Sequence, residues 1–304
     1  MASLVGSILR IALNVCGMVG LSIPRKIAFA DWLCQVCLRR LFCNNPSCEP
    51  RNMPEILQSR IPYDVSTKKS LPGIVPLDAD GWLIEDEAFA GQMCERDRLI
   101  SIMPERVFED VGAAPEAKQE VLDEVLGLLR SRPSYKITKR EVIRPDGVVV
   151  PLGGDPLLNA AQLVQEDLCL HEKRGDEHVL TAAVLCFPAS WTLAEKVGRP
   201  LSGVHATVDE YNLDIGKRVQ RLFDGIQPGR PVWRFNLLQY VHPDLFQPRR
   251  ETDARSADEG YGSGAYTRSE HQALVRMPKS GAVLFAIHTY VVKQDDNLDQ
   301  AGGA

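Results

Sequence analysis

The side chains best suited to chemistry lie on three predicted strands near the end of the chain. Read with a period of two, each strand carries polar groups on one face: Arg234 and Asn236, Glu270 and Gln272, and His288 and Tyr290. If these faces converge, a guanidinium, two amides, a carboxylate, an imidazole and a phenol form one polar site for binding or catalysis. The alternative is that they form the solvated side of a one-sided antiparallel sheet.

His205 stands out among the six histidines of the chain. It lies just before a predicted long helix, where the chain turns toward the polar sheet face. No histidine occurs in a His-Glu-x-x-His or similar pair, so local spacing does not define a metal site. His205 is therefore either an ordinary structural residue or the single axial ligand of a prosthetic group.

A cysteine cluster near the amino terminus is a second candidate metal site. It contains four of the eight cysteines of the chain: Cys34, Cys37, Cys43 and Cys48. Thiolates bind zinc and iron–sulfur clusters, but these two pairs follow each other more closely than the two halves of a structural zinc site do. Unreactive thiols on a short helix are the alternative interpretation.

Composition and missing motifs argue against several function classes. A net charge of −5 over 304 residues disfavours a nucleic-acid partner. The sequence contains no phosphate-binding loop, nucleophile elbow or dinucleotide fingerprint, which disfavours an ordinary hydrolase, kinase or nicotinamide-dependent dehydrogenase. Hydrophobic residues at 44% and charged residues at 25% are typical of a folded globular protein.

Residues 1–26 lack acidic side chains and need a separate explanation. Arginine, asparagine and glycine residues interrupt this apolar stretch, so a membrane-spanning helix is disfavoured. Two interpretations stay open: an organelle-targeting or membrane-surface segment of an otherwise intracellular protein, or a helix packed on the protein. We assign 1–60 to an amino-terminal helical extension, 61–295 to the main domain and 296–304 to a disordered tail.

The elements that must position the candidate residues form an α+β pattern. Residues 114–130 carry apolar side chains at intervals of three and four, which predicts an amphipathic helix. A nearly continuous apolar run predicts a strand over 179–187, and two helical segments follow it. Three strands then come in succession: 232–240, 270–277 and 282–292. This order predicts an antiparallel sheet with a helical insert over one face.

Several short blocks of sequence, taken in their order along the chain, provide evidence that does not depend on periodicity. The blocks are Gly81–Asp86, Gln165–Leu170, Phe187–Trp191, Glu195–Gly198, Val204–His205, Val232–Asn236, Arg268–Gln272, Arg276–Pro278, Ser280–Ala282 and Phe285–Tyr290. In this order they resemble the α subunit of haem-dependent oxidative N-demethylase and its relatives. The similarity extends from Ile74 to Val292.

This resemblance implies a haem-binding PAS-like fold, in which a five-stranded antiparallel sheet and the helices over it hold one haem b. It also implies an oxidoreductase that uses O2 to remove a methyl group from a small secondary amine such as dimethylamine, releasing formaldehyde. A separate flavin or iron–sulfur reductase would supply electrons, because the chain shows no flavin, nicotinamide or plant-type ferredoxin motif. The alternative is a haem-binding PAS-type sensor that responds to a gas without turnover.

The resemblance further implies roles for the candidate residues. His205 would be the axial ligand of the haem iron, and Arg234 would polarise bound oxygen or pair with a haem propionate. Asn236 and Gln272 would hydrogen-bond the same ligands. Glu270 would be the anion that holds the protonated amine. The remaining polar residues of the third strand are assigned to the same catalytic group: His288 and Tyr290.

Overall fold

The computed structural model of the protein describes residues 55–67, 73–204, 213–253, 259–260 and 264–294. The cysteine cluster, His205, most of the amino-terminal extension and the carboxyl-terminal tail lie outside these residues. The division of the chain at residues 60 and 295 therefore stays a prediction. In the described segments, no helix has the length and hydrophobicity needed to cross a membrane.

The helical elements of the described chain are mostly short. They are α1 (Phe89–Ile102), α2 (Pro104–Val107), α3 (Pro115–Leu129), α4 (Pro156–Ala161), α5 (Leu201–Val204) and α6 (Leu213–Gly225), with 3₁₀ turns at Val65–Thr67 and Leu193–Glu195. Helix α3 confirms the helix predicted over 114–130. Its apolar side is buried, as the spacing of its hydrophobic residues requires.

The strands of the described chain belong to two antiparallel sheets. They are β1 (Val75–Pro76), β2 (Phe108–Asp110), β3 (Lys136–Ile137), β4 (Glu141–Ile143), β5 (Val149–Pro151), β6 (Asp167–Arg174), β7 (Glu177–Val184), β8 (Val232–Phe235), β9 (Leu238–Tyr240), β10 (Glu259–Gly260), β11 (Tyr266–Arg276) and β12 (Val283–Lys293). Strands β3, β4 and β5 form the smaller sheet, and the other nine form the larger one.

The larger sheet contains more strands than the five expected from the resemblance. Its main path runs β1-β8-β11-β12-β6-β7-β2, while β9 pairs with β11 and β10 pairs with β9. The hairpins β6–β7 and β11–β12 form its centre and join through β12 and β6. The antiparallel sheet is thus confirmed, and the expected number of strands is too low because short peripheral strands extend it.

One side of this sheet, which we call the core face, packs on helices α1 and α3. Ala273 of β11, Ala286 of β12 and Leu168 of β6 belong to one buried cluster with Met93 of α1 and Val125 of α3. Burial of this apolar surface is the main driving force that holds the helices on the sheet.

The opposite side, which we call the insert face, is covered by the segment between β7 and β8, as predicted. Leu201 of α5 and Phe223 of α6 pack with Leu274 of β11. Arg276 of β11 donates to the Phe223 carbonyl at 2.5 Å and to the Ile226 carbonyl at 2.7 Å. These carbonyls lie at the end of α6, where helix geometry leaves acceptors unpaired, so Arg276 ties this helix to the sheet.

Candidate functional site

Four of the predicted residues come together on the insert face, where β8 lies beside β11. Arg234 and Gln272 are direct cross-strand partners. Further along the same pair of strands, Asn236 and Glu270 exchange hydrogen bonds. Since cross-strand partners share a face and side chains alternate along a strand, the four side chains have a common face, as predicted.

The strand predicted over 232–240 is interrupted at Asn236. The Asn236 N–H donates to the Glu270 carbonyl at 3.2 Å, but the Glu270 N–H donates to the side-chain Oδ1 of Asn236 at 2.8 Å. The backbone carbonyl of Asn236 accepts from Ser269 Oγ at 2.5 Å. An asparagine can substitute its side-chain carbonyl for a backbone acceptor. The predicted strand is therefore split into β8 and β9, both paired with β11.

Glu270 is a buried carboxyl group, with 4% of its surface exposed. Its Oε2 accepts from Asn236 Nδ2 at 2.7 Å and from Gln272 Nε2 at 2.9 Å. Its Oε1 lies 3.8 Å from Arg268 Nη2. Burial raises the pKa of Glu270, and the charge of Arg268 and the two amide donors offset only part of this rise. This carboxyl group therefore exchanges a proton closer to neutral pH than an exposed glutamate does.

His288 and Tyr290 do not join this group, so the predicted convergence of six side chains is wrong. The register of β11 and β12 pairs Glu270 with Thr289. The same register pairs His271 with His288, which places His288 and Tyr290 on the core face. Alternation along β12 is as predicted, but the face that each set of residues occupies depends on its register with β11.

On the core face, His288 is held between two carboxylates that sequence reasoning missed. Its Nδ1 lies 3.0 Å from Glu166 Oε1, and its Nε2 lies 3.0 Å from Asp86 Oδ2. Burial opposes the charged imidazolium, but the hydrogen bonds and charges of the two carboxylates outweigh it and raise the pKa of His288 to about 9. His288 is therefore charged at neutral pH.

Asp86 is the more highly connected of the two carboxylates. Burial favours its neutral form, but His288 and the amides of Gln165 and Gln58 outweigh this and lower the pKa of Asp86 to about 2. The amide nitrogens lie 2.8 Å and 2.9 Å from its two oxygens. Asp86 and Glu166 belong to the blocks Gly81–Asp86 and Gln165–Leu170, and membership of those blocks is the signal that could have identified them.

The insert face combines apolar side chains with a polar atom, unpaired among the described residues, close to the Glu270 site. Cys169 and Ile287 form a buried apolar cluster, and Val204 at the end of α5 packs against it. Beside this cluster, the buried Oγ1 of Thr289 makes no hydrogen bond within the described part of the chain. An apolar surface with a few convergent polar groups suits a large apolar cofactor that carries a polar ligand. His205, the predicted axial ligand, follows Val204 directly and lies outside the described residues.

Comparison with known proteins gives a match to one family. The model of the family described as haem-dependent oxidative N-demethylase, alpha subunit-like, matches residues 73–302. The match covers more than half of the chain and includes the Glu270 site, the His288 cluster and the helical insert. At the level of the family, it supports dependence on haem and an oxidoreductase activity of the oxidative N-demethylase type. The chain therefore belongs to the haem-dependent oxidative N-demethylase alpha subunit-like family.

Proposed function

We propose that the protein is a haem b-dependent oxidoreductase that demethylates a small secondary amine on the insert face of the sheet. The observation that carries this proposal is the buried carboxyl group of Glu270 between Asn236 and Gln272. A small amine is a cation at neutral pH, and transfer of a cation into a buried site is unfavourable unless an anion is present there. Glu270 is the anion at this position.

Bound haem supplies the redox chemistry with O2, which no amino-acid side chain provides. Overall, one secondary amine, one O2, two electrons and two protons give the demethylated amine, one formaldehyde and one water. We propose that a separate flavin or iron–sulfur reductase supplies the electrons. The absence of flavin, nicotinamide and plant-type ferredoxin motifs from the sequence supports this part of the proposal.

The chain's own residues bind and orient the amine. Asn236 and Gln272 both donate to Oε2 of Glu270, whereas Oε1 faces Arg268 Nη2 at 3.8 Å, beyond hydrogen-bond distance. Oε1 is therefore the oxygen that we assign to an N–H of the ammonium ion. The raised pKa of Glu270 allows Oε1 to take up the amine proton, so that the lone pair of the nitrogen is free before oxidation. Arg234, opposite Gln272, would bind a haem propionate or the oxygen ligand.

The first test is turnover of dimethylamine by the full chain loaded with haem b, using an artificial electron donor. We expect formaldehyde and methylamine in equal amounts, and a Glu270→Gln variant with kcat/KM lower by roughly 10- to 100-fold, since one charged hydrogen bond is lost. Glu116→Gln, an exposed glutamate on α3, is the matched control and should retain the wild-type rate. Glu270→Gln turnover at the wild-type rate would refute the assignment of the amine site.

The second test concerns the cofactor and its ligand. We expect the wild type to bind haem b with a Soret band typical of histidine ligation, and His205→Ala to lose that form of the spectrum. A protein that binds haem but turns over no amine supports the alternative of a haem-binding sensor. A wild type that does not bind haem would rule out both the oxidase and the sensor.

A further inference from the structure

We propose that Thr289 is the second hydrogen-bond acceptor of the amine site and selects ammonium ions with two N–H groups over those with one. This inference rests on the proposed function, because it takes Glu270 as the anion of that site. It assigns to Thr289 a role in substrate choice, beyond binding of the cationic charge.

The backbone places Thr289 directly beside Glu270. The two residues are cross-strand partners in β11 and β12. The N–H and carbonyl of Glu270 both bond to Asn236, on the β8 side, so they do not point toward β12. Glu270 and Thr289 therefore form a non-hydrogen-bonded antiparallel pair, in which Cα atoms lie about 4.5 Å apart and the side chains approach most closely.

The backbone carbonyl of Thr289 is satisfied from the opposite side. It accepts from Gln58 Nε2 at 3.1 Å and from Gln92 Nε2 at 2.8 Å. The pairing of β12 with β6 ends at Ile287, so the Thr289 carbonyl has no partner from that strand. The two bonds from the buried glutamines take the place of this partner and fix the backbone of Thr289. Because threonine is branched at Cβ, its side chain has few rotamers once the backbone is fixed.

The hydroxyl of Thr289 lacks the partner that its burial requires. The residue is fully buried, and Oγ1 makes no hydrogen bond within the described part of the chain. A buried hydroxyl without a partner is destabilising, and such groups in folded proteins are nearly always satisfied. A ligand that donates a hydrogen bond beside Glu270 would satisfy Thr289 and the carboxylate together.

A secondary ammonium ion has two N–H groups, which match these two acceptors. One N–H reaches Oε1 of Glu270, and the other reaches Oγ1 of Thr289. A trimethylammonium ion has a single N–H, which the carboxylate takes, so the hydroxyl of Thr289 is buried beneath a methyl group without a partner. Tetramethylammonium has no N–H at all and satisfies neither group.

The test measures binding, not turnover. The full chain, loaded with haem and oxidised, is titrated in a calorimeter with dimethylammonium chloride and with trimethylammonium chloride. No electron donor is present, so neither ion is turned over. We expect the wild type to bind dimethylammonium about three- to tenfold more tightly than trimethylammonium, the effect of one hydrogen bond. Thr289→Val, which has the same shape without the hydroxyl, should reduce this ratio to near one. Thr289→Ser should retain it.

Thr181→Val is the matched control, because Thr181 is also a fully buried strand threonine and its hydroxyl reaches the Leu170 carbonyl at 3.4 Å. It should leave the ratio unchanged. Suppose that Thr289→Val keeps the wild-type ratio of the two affinities, while Glu270→Gln weakens the binding of both ions. The role of Thr289 is then wrong, and the proposed function is unaffected. If the wild type binds neither ion, or Glu270→Gln binds both as well as the wild type does, the proposed amine site fails and this inference fails with it.

Discussion

His271 and His288 are direct cross-strand partners on the core face, yet their pKa values are shifted in opposite directions. Burial lowers the pKa of His271 to about 4, and the charge of His288 adds to the effect. Burial also disfavours the charged form of His288, but Asp86 and Glu166 outweigh it and raise the pKa to about 9. Between pH 4 and pH 9 the pair therefore carries one positive charge, and it lies on His288, the residue with two carboxylate partners.

Removal of the charge on His288 should destabilise the fold strongly. In His288→Gln, Asp86 and Glu166 would be buried near one another without a cation between them. We expect the free energy of unfolding to fall by roughly 3 to 5 kcal/mol, as it does when one partner of a buried ion pair is removed. Urea unfolding at pH 7 measures this change. His242→Gln, at an exposed histidine, is the control and should be neutral; an equally small effect at both positions would contradict the role of the cluster.

The contribution of His288 should disappear at alkaline pH. Its folded pKa of about 9 lies above the ordinary value of 6.5, so its stabilising effect is fully present below pH 6.5 and is lost as the pH rises through 9. We expect the difference in unfolding free energy between the wild type and His288→Gln to shrink from pH 6.5 onward and to be nearly gone by about pH 10. A difference between the two proteins that stays constant over this range would show that His288 is not the titrating group.

His271 should make the fold sensitive to acid. Its folded pKa of about 4 lies below the ordinary value of 6.5, so the unfolded chain binds the proton more readily. Stability is therefore complete above pH 6.5 and is lost as the pH falls toward 4. His271→Phe keeps a ring against Trp233, whose ring centroid lies 4.4 Å from that of His271, and removes the titrating group.

Unfolding of His271→Phe and the wild type between pH 7 and 4 tests this expectation. The variant should lose less stability over this range than the wild type, by roughly 3 kcal/mol. Other buried groups, including Asp86, are common to both proteins and cancel in the comparison. Equal acid sensitivity of the two proteins would be evidence against a neutral His271.

Asn236 should affect amine binding through Glu270. Asn236→Ala removes the donor that lies 2.7 Å from the Glu270 carboxylate and the acceptor of the Glu270 N–H. If Asn236 orients this carboxylate, the KM for dimethylamine should rise by about tenfold with a smaller change in kcat, and the Soret spectrum should be unchanged. Asn159→Ala, at a buried asparagine of α4, is the control. An equal rise in KM in the two variants would indicate only a general structural effect.

Much of the architecture follows from local sequence patterns. The amphipathic helix α3, the insert between β7 and β8, and the strands β11 and β12 all match the periodicity of their apolar residues. That Arg234 shares a face with Asn236, and Glu270 with Gln272, also follows, because a period of two relates residues within each strand. The register of β8 with β11 is what brings these two sets to the same face. The split of the predicted strand at Asn236 does not follow, since it depends on a hydrogen bond to a residue on a different strand.

The sequence by itself determined which residues share a face within each strand and, through its ordered blocks, the family to which the chain belongs. Only the tertiary structure decided that Thr289, and not His288, lies beside Glu270. The reason is that alternation relates neighbours along one strand, while the register between strands decides which set of side chains faces which layer. The contacts of His288 with Asp86 and Glu166 likewise join segments more than 100 residues apart, which only folding brings together.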